Sequence, residues 1–314
     1  MLVGVSGAQG FIGGWVVDEL ISKGHQVVVV DHLVRERDER PEVETMLADV
    51  RDRNAMVELA AHVDGVIHLA AILGTQETIK NPHPAAEVNI LGGLNVLTAC
   101  DQYDIPLVNI CVGNYWMLNT YSSTKNCFER LCDMYRKEHN AKIANVRCVN
   151  AYGPRQRAAA PFAPGKVRKI APAFICRALS GMPVEIYGDG EQVSDMVYVG
   201  DVARTLVRAL ESVNNGIIPS RTIEVGPEQS ATVNQVAQAV IDECMMQGHD
   251  AVEIVHLPMR PGENAGDKVT ADPQTLWQVG IDPDSLVGLS EGIFKTVEYF
   301  EENRGITWNT PPSF

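Results

Sequence analysis

The glycine spacing at the N-terminus constrains this chain more than any other feature. Gly7-Ala8-Gln9-Gly10-Phe11-Ile12-Gly13 follows directly on the apolar run Leu2–Val5 and opens a helical segment, Phe11–Ser22, closed by Gly24. Gly7 suits a tight turn, Gly10 lets a ligand touch the backbone, and Gly13 lets helix and strand pack closely. The unpaired N–H groups at the helix start, around Phe11 and Ile12, then face outward toward an anion. The pattern predicts a pyrophosphate cradle in a strand–turn–helix unit.

The rest of the first half repeats that alternation. Gln26–Val30, Met46–Ala48, Gly65–Leu69, Leu107–Cys111 and Ala144–Val149 read as strands, and Arg53–His62, Pro84–Tyr103 and Thr120–Glu138 as helices. Short apolar runs separated by helices indicate a parallel sheet covered on both faces. The expected fold is α/β, a doubly wound Rossmann sheet. The second half is less regular. Residues 154–172 read as loop, Pro172–Ser180, Val202–Glu211, Val233–Gln247 and Gly292–Glu302 as helices, and Val184–Tyr187 and Thr222–Val225 as strands.

Composition removes several function classes. The 314 residues are 45% hydrophobic, enough for a substantial core. A net charge of −14 repels phosphate backbones and argues against nucleic acid as a partner. A small anionic nucleotide stays compatible, since local dipoles and a few Arg outweigh a distant field. Seven Cys, an odd number without metal-knuckle spacing, sit mostly in apolar runs. They predict reduced core thiols, no metal, and a cytoplasmic location. No apolar run reaches the roughly 18 residues of a membrane helix, so no membrane is expected.

Two further positions sharpen the cofactor. Asp31, with His32 beside it, ends the second strand, where a carboxylate accepts from both ribose hydroxyls and repels a 2′-phosphate. This predicts NAD over NADP, with Arg35 and Arg37 read as a solvated loop. Asp49-Val50 follows the third strand, where an adenine edge would lie. Tyr121 and Lys125, spaced i, i+4 at a helix start, share one face. A phenol titrates near 10, too high for a base at neutral pH, and both the neighbouring ammonium and a cationic nicotinamide ring are expected to favour the phenolate, with Lys125 also able to hold the nicotinamide ribose.

Together these residues resemble the extended short-chain dehydrogenase/reductase family, in its NAD-dependent sugar-nucleotide epimerase/dehydratase branch. The resemblance covers nearly the whole chain. It includes His68-Leu69-Ala70-Ala71, Asn89, Asn150-Ala151-Tyr152-Gly153-Pro154-Arg155-Gln156, Ile186–Gln192, Asp195–Ala203 and Arg260-Pro261-Gly262-Glu263. It implies that Leu69, Ala70 and Ala71 line the cofactor pyrophosphate and ribose, and that Cys148 and Val149 lie near the nicotinamide. It implies that Asn150 contacts the sugar nucleotide's phosphates, Arg260 its diphosphate and Glu263 its ribose. The expected organisation is a NAD-binding domain of residues 1–153 plus about 195–226. A smaller, interleaved C-terminal α/β substrate domain takes about 154–194 plus 227–314. The resemblance also implies a homodimer built on Pro84–Tyr103 and Thr120–Glu138.

Two positions depart from the family pattern. The stretch Ile110–Trp116 lacks the usual Ser or Thr, leaving Asn114, Thr120 or Ser123 as substitutes. Ser194 stands where an Arg is usual, leaving Arg168, Lys169 or Arg177 to compensate. The leading expectation is C4 epimerisation of a nucleotide-diphosphate sugar through a transient 4-keto intermediate. A 4,6-dehydratase or decarboxylase would place an acidic residue in the same loop, and 109–119 has none. A ketoreductase and a non-catalytic NAD-binding module are the other readings. His68 is expected to be structural, and Trp116 beside Tyr115 either stacks on a ligand or packs in the core.

Overall fold

The computed structural model describes residues 1–33, 38–156, 169–260 and 266–304. The chain divides into two compact units, the first comprising Met1–Cys148, Gly200–Val225 and Asp272–Pro283.

Unit 1 is built on strands β1 (Leu2–Ser6), β2 (Gln26–Asp31), β3 (Val43–Leu47), β4 (Gly65–His68), β5 (Leu107–Val112) and β6 (Ile143–Cys148). With the strand Ile223–Val225 they form a seven-stranded sheet. Its order runs Ile223–Val225, β6, β5, β4, β1, β2, β3, and every pairing is parallel. The order reverses between β1 and β4, so the loops after these strands part there, the usual ligand crevice of an open α/β sheet. The four Val of β2 are buried because helices cover both faces. Those helices include α1 (Phe11–Ser22), α2 (Arg53–His62), α3 (Thr75–Lys80), α4 (Pro82–Ala86), α5 (Gly93–Gln102) and α6 (Thr120–Glu138). Leu59, Leu97, Leu107, Phe128 and Ile143 form the core on the α2/α5/α6 side.

The expected single helix Pro84–Tyr103 is interrupted by a π-helical stretch, Glu87–Gly92. Close packing explains the glycines there. A Cβ on Gly92 would stand 2.6 Å from Val50 Cγ2, and one on Gly93 2.8 Å from Phe128. The helix thus passes between two side chains and takes up an extra residue as a bulge.

Unit 2 comprises Val149–Val199, Gly226–Ala271 and Asp284–Phe314. Its helices Ile170–Leu179, Val233–Met246 and Leu289–Glu302 bury Phe174, Ile175, Val236, Val240, Val297 and Phe300 together. Three short parallel pairs join Asn150–Tyr152 to Met196–Tyr198, Val184–Tyr187 to Ile254–Leu257, and Val193–Ser194 to Lys268–Val269. Thr232 caps the Val233–Met246 helix in a reciprocal box with Gln235. Among the described residues no helix is long and apolar enough to cross a membrane, and no cluster of metal-ligating side chains is found.

Candidate active site

The glycine turn has the geometry its spacing suggests. Gly7 has φ 72°, and a Cβ on it would lie 2.7 Å from Ala70 N. A Cβ on Gly13 would lie 2.6 Å from Ala8 Cα. The turn is therefore packed against the Leu69-Ala70-Ala71 segment that leaves β4. Gly10 is the N-cap of α1, and no side chain caps that end. A Cβ on Gly10 would meet only Gly7 O, at 3.1 Å, so the approach to the donors of Phe11 and Ile12 is open. These residues fit a dinucleotide pyrophosphate.

Asp31 closes β2 beside this turn. Its Oδ2 accepts from Gln9 N–H at 3.2 Å and its Oδ1 from Leu33 N–H at 3.2 Å. The His32 ring lies 3.2 Å from the same carboxylate and is exposed. The backbone thus fixes the carboxylate at the strand end. Asp49 is placed differently. Its carboxylate is held by Arg51 at 2.7 Å and accepts Arg51 N–H at 2.9 Å. The Arg51 guanidinium holds it below the usual carboxylate range. Asp49 is a loop cap in this structure, and Val50 is a buried packing residue.

Asn89 also has protein partners. It is buried in the π-helical stretch, accepts Ile72 N–H at 2.8 Å, and donates to Ile72 O at 3.1 Å and Thr124 Oγ1 at 3.0 Å. It ties the loop after β4 to α6.

Helix α6 presents the phenol–amine pair. Asn119 caps it, accepting Ser122 N–H at 2.9 Å, which puts Tyr121 in the first turn and Lys125 one turn on. Tyr121 is partly buried and Lys125 is 3% exposed. Among the described residues neither the phenol oxygen nor Lys125 Nζ has a hydrogen-bond or ion-pair partner. Burial raises the phenol above its ordinary value, with the Cys148 and Cys111 thiols adding to the shift. Burial also pulls the Lys125 amine down. In the ligand-free site desolvation is the larger effect, and it favours the neutral form of both groups. His68 is structural. Its Nδ1 bonds Ser6 Oγ at 2.7 Å, its ring meets Phe128 edge-on, and burial holds it neutral, with a pKa of about 3.

The loop after β5 follows the buried Val112 and contains no Ser or Thr before Thr120. Asn114 Oδ1 instead accepts from the buried Ser122 Oγ at 3.3 Å. Ser122 was not among the expected residues. Its signal is local: it sits three residues after the cap Asn119 and next to Tyr121. Thr120 is half-buried and Ser123 exposed, and Ser123 lines an open groove with Ile79 and Leu118. Tyr115 and Trp116 are 41% and 43% exposed, which removes core packing as their role.

In unit 2, Asn150 Nδ2 donates to Ser194 Oγ at 2.6 Å and to Asp195 O at 3.3 Å. Ser194 thus holds Asn150 in place of carrying charge. Val149 is buried against Gly226. The Arg260 guanidinium lies 4.8 Å from the centroid of Tyr187. Lys169 is exposed at the N-cap of the Ile170–Leu179 helix. Arg177 does not compensate for Ser194: it is buried, bonded to Pro183 O at 2.5 Å and paired with Glu185 at 2.9 Å. Glu263, Arg168, Arg35 and Arg37 lie outside the described residues.

The family model described as "NAD dependent epimerase/dehydratase family" matches residues 3–226. A putative UDP-glucose 4-epimerase of Methanocaldococcus jannaschii is 27% identical, over 95% of this chain and 98% of that protein. A UDP-N-acetyl-alpha-D-glucosaminuronate decarboxylase of Bacillus cytotoxicus is 28% identical over 81% of this chain and 82% of its own length. The crystal structure of the Thermus thermophilus UDP-glucose 4-epimerase complexed with NAD is 30% identical. It superposes with a TM-score of 0.80 over 96% of this chain and 99% of that one.

Proposed function

Because this chain belongs to the NAD-dependent epimerase/dehydratase family and takes NAD as its cofactor, we propose that it epimerises a nucleotide-diphosphate sugar at C4 through a transient 4-keto sugar. Gly7, Gly10, Gly13, the N–H groups of Phe11 and Ile12, Asp31 and Leu69–Ala71 are assigned to hold NAD. When bound, NAD supplies a reversible hydride acceptor and, oxidised, a positive charge. Tyr121 takes the proton of the sugar C4 hydroxyl and returns it after the ketone has presented its other face. Lys125 holds a positive charge beside the phenol and offsets the cost of the phenolate that burial opposes. Asn114, oriented by Ser122, is the assigned substitute for the family hydroxyl. Asn150, Lys169 and Arg260 are assigned to the substrate phosphates, Arg for its planar fork.

One observation carries this reading: a partly buried phenol and a buried lysine on one helix face, neither with a hydrogen-bond or ion-pair partner among the described residues. A structural pair would be hydrogen-bonded to its surroundings. The family's dehydratases and decarboxylases place a carboxylate in this loop, and residues 109–119 contain no Asp or Glu. The exposed Leu91 and Met134 favour pairing of two copies through the α5 and α6 region. Light scattering that gives a monomer at micromolar concentration would overturn that pairing.

The test is to incubate the NAD-loaded protein with UDP-glucose, UDP-galactose, UDP-N-acetylglucosamine, dTDP-glucose and UDP-glucuronate and follow the anomeric proton signals. Interconversion at C4, lost in Tyr121→Phe, supports the proposal. A 4-keto-6-deoxy product points to a dehydratase, loss of carbon dioxide from UDP-glucuronate to a decarboxylase, and net cofactor consumption to a ketoreductase. No change with any sugar favours a binding module.

A further inference from the structure

We propose that Arg147 is a positioning residue that locks the strap Gly113–Leu118, with its Tyr115–Trp116 corner, to the helix carrying Tyr121 and Lys125. The proposal deepens the reading above and rests on it. Arg147 lies on β6 and is 8% exposed. Its Nε donates to Val112 O at 3.1 Å, the last residue of β5 before the strap. Its Nη2 donates to Glu129 Oε1 at 2.6 Å, one turn beyond Lys125 on α6. Its Nη1 donates to Glu224 Oε1 at 2.6 Å on the neighbouring strand. Its centre stands 4.1 Å from the Tyr115 ring centroid, and Tyr115 meets Trp116 edge-on at 5.1 Å and 86°.

One planar cation therefore touches two strands, the catalytic helix and the strap. Such a group is not needed for packing, since apolar side chains commonly replace buried ion pairs without loss of stability. What it supplies is direction: a fork of fixed donors and a flat face, neither of which lysine has. The strap needs that direction. It leaves the carboxyl end of β5, where open parallel sheets meet their ligands. It ends at Leu118, next to the cap Asn119 and three residues before Tyr121. Tyr115 and Trp116 are exposed, so nothing in the core fixes them. An aromatic corner held in this place offers a flat apolar wall to the C–H face of a pyranose ring.

The test compares Arg147→Lys and Tyr115→Leu with the parent, each as the NAD-loaded full chain. Hydrogen exchange of the 113–119 amides and steady-state kinetics with UDP-glucose are measured together. Tyr115→Leu leaves the buried pair intact and covers the case in which Arg147→Lys fails to fold. The expected result is exchange faster by roughly tenfold in 113–119, the size of a partly desolvated cation–π contact, with β1 and β4 unchanged. The kinetics should show a lower kcat with NAD affinity unaltered. Unchanged strap exchange in both variants overturns the proposal. So does a rise spread evenly over the sheet, which would mean a general structural role. Failure of the enzymatic reading is separate: Tyr121→Phe would then keep its turnover whatever the strap does.

Discussion

Replacing Lys125 by Met should stabilise the ligand-free protein while destroying its activity. Lys125 is 3% exposed and its ammonium meets no hydrogen-bond acceptor among the described residues. Burial accordingly pulls the amine below its ordinary value, against the weaker opposing pull of nearby groups such as Glu129. A methionine has nearly the same length and nothing to desolvate. Leaving a buried polar group unpaired costs about 1–3 kcal/mol, so the variant should gain about that much at pH 7. For a chain of this length each kcal/mol moves Tm by about 2 °C, which puts the gain at about 2–6 °C. The sign with pH is fixed. The folded amine titrates below the unfolded one, so the unfolded chain binds more protons between the two values and parent stability rises with pH across that window. The advantage of the Met variant should therefore shrink from pH 7 to pH 9.5. Calorimetry of nucleotide-stripped protein at both values measures it. A Met variant that melts below the parent at pH 7, or an advantage that grows with pH, refutes the reasoning.

Further outcomes are expected. Gly7→Ala should weaken NAD binding by tenfold or more in titration calorimetry, since a left-handed residue costs about 1–3 kcal/mol and its Cβ would press on Ala70 N. Asp31→Ala should raise the NADP-to-NAD affinity ratio, because the carboxylate that excludes a 2′-phosphate is gone; an unchanged ratio would remove Asp31 from the cofactor site. Tyr121→Phe should lower turnover by about 10²–10⁴ with NAD still bound. In the parent, kcat should rise with pH as the phenol, raised by burial, gives up its proton; a flat profile would count against the phenol as base. Asn89→Ala should loosen the loop after β4, seen as faster amide exchange at Ile72, which now donates to Asn89.

The parts of the fold that were legible were those written in local pattern. The strand–glycine–helix unit, the four buried Val of β2 and the i, i+4 spacing of Tyr121 and Lys125 are all readable within a few residues. The parts that were missed depend on partners distant in sequence. The break in the helix after Pro84 comes from Val50 and Phe128 meeting Gly92 and Gly93, which no helical periodicity encodes. Asn89 finds its partners at Ile72 and Thr124, 17 and 35 positions away. Arg177, a plausible phosphate ligand by charge, is held by Glu185 and Pro183 because its helix packs against that strand. Arg147 lies inside an apolar run that signals only a strand, yet all six residues of β6 are buried, charge included. The phenol's environment is half legible for the same reason: proximity of an ammonium is visible in spacing, whereas the burial that raises the phenol is not.

The uniform direction of the seven-stranded sheet has a practical consequence. Every strand of unit 1 delivers its carboxyl end to one rim, and the chemistry assigned to this unit gathers on that rim. The opposite rim holds the turns that enter β5 and β6, where Asp104 and Asn140 adopt positive φ and Lys142 pairs with Asp104 at 2.7 Å. Fluorophores, affinity handles or surface tethers grafted at these turns would lie a full strand length from the reacting groups, leaving turnover as it is in the untagged protein.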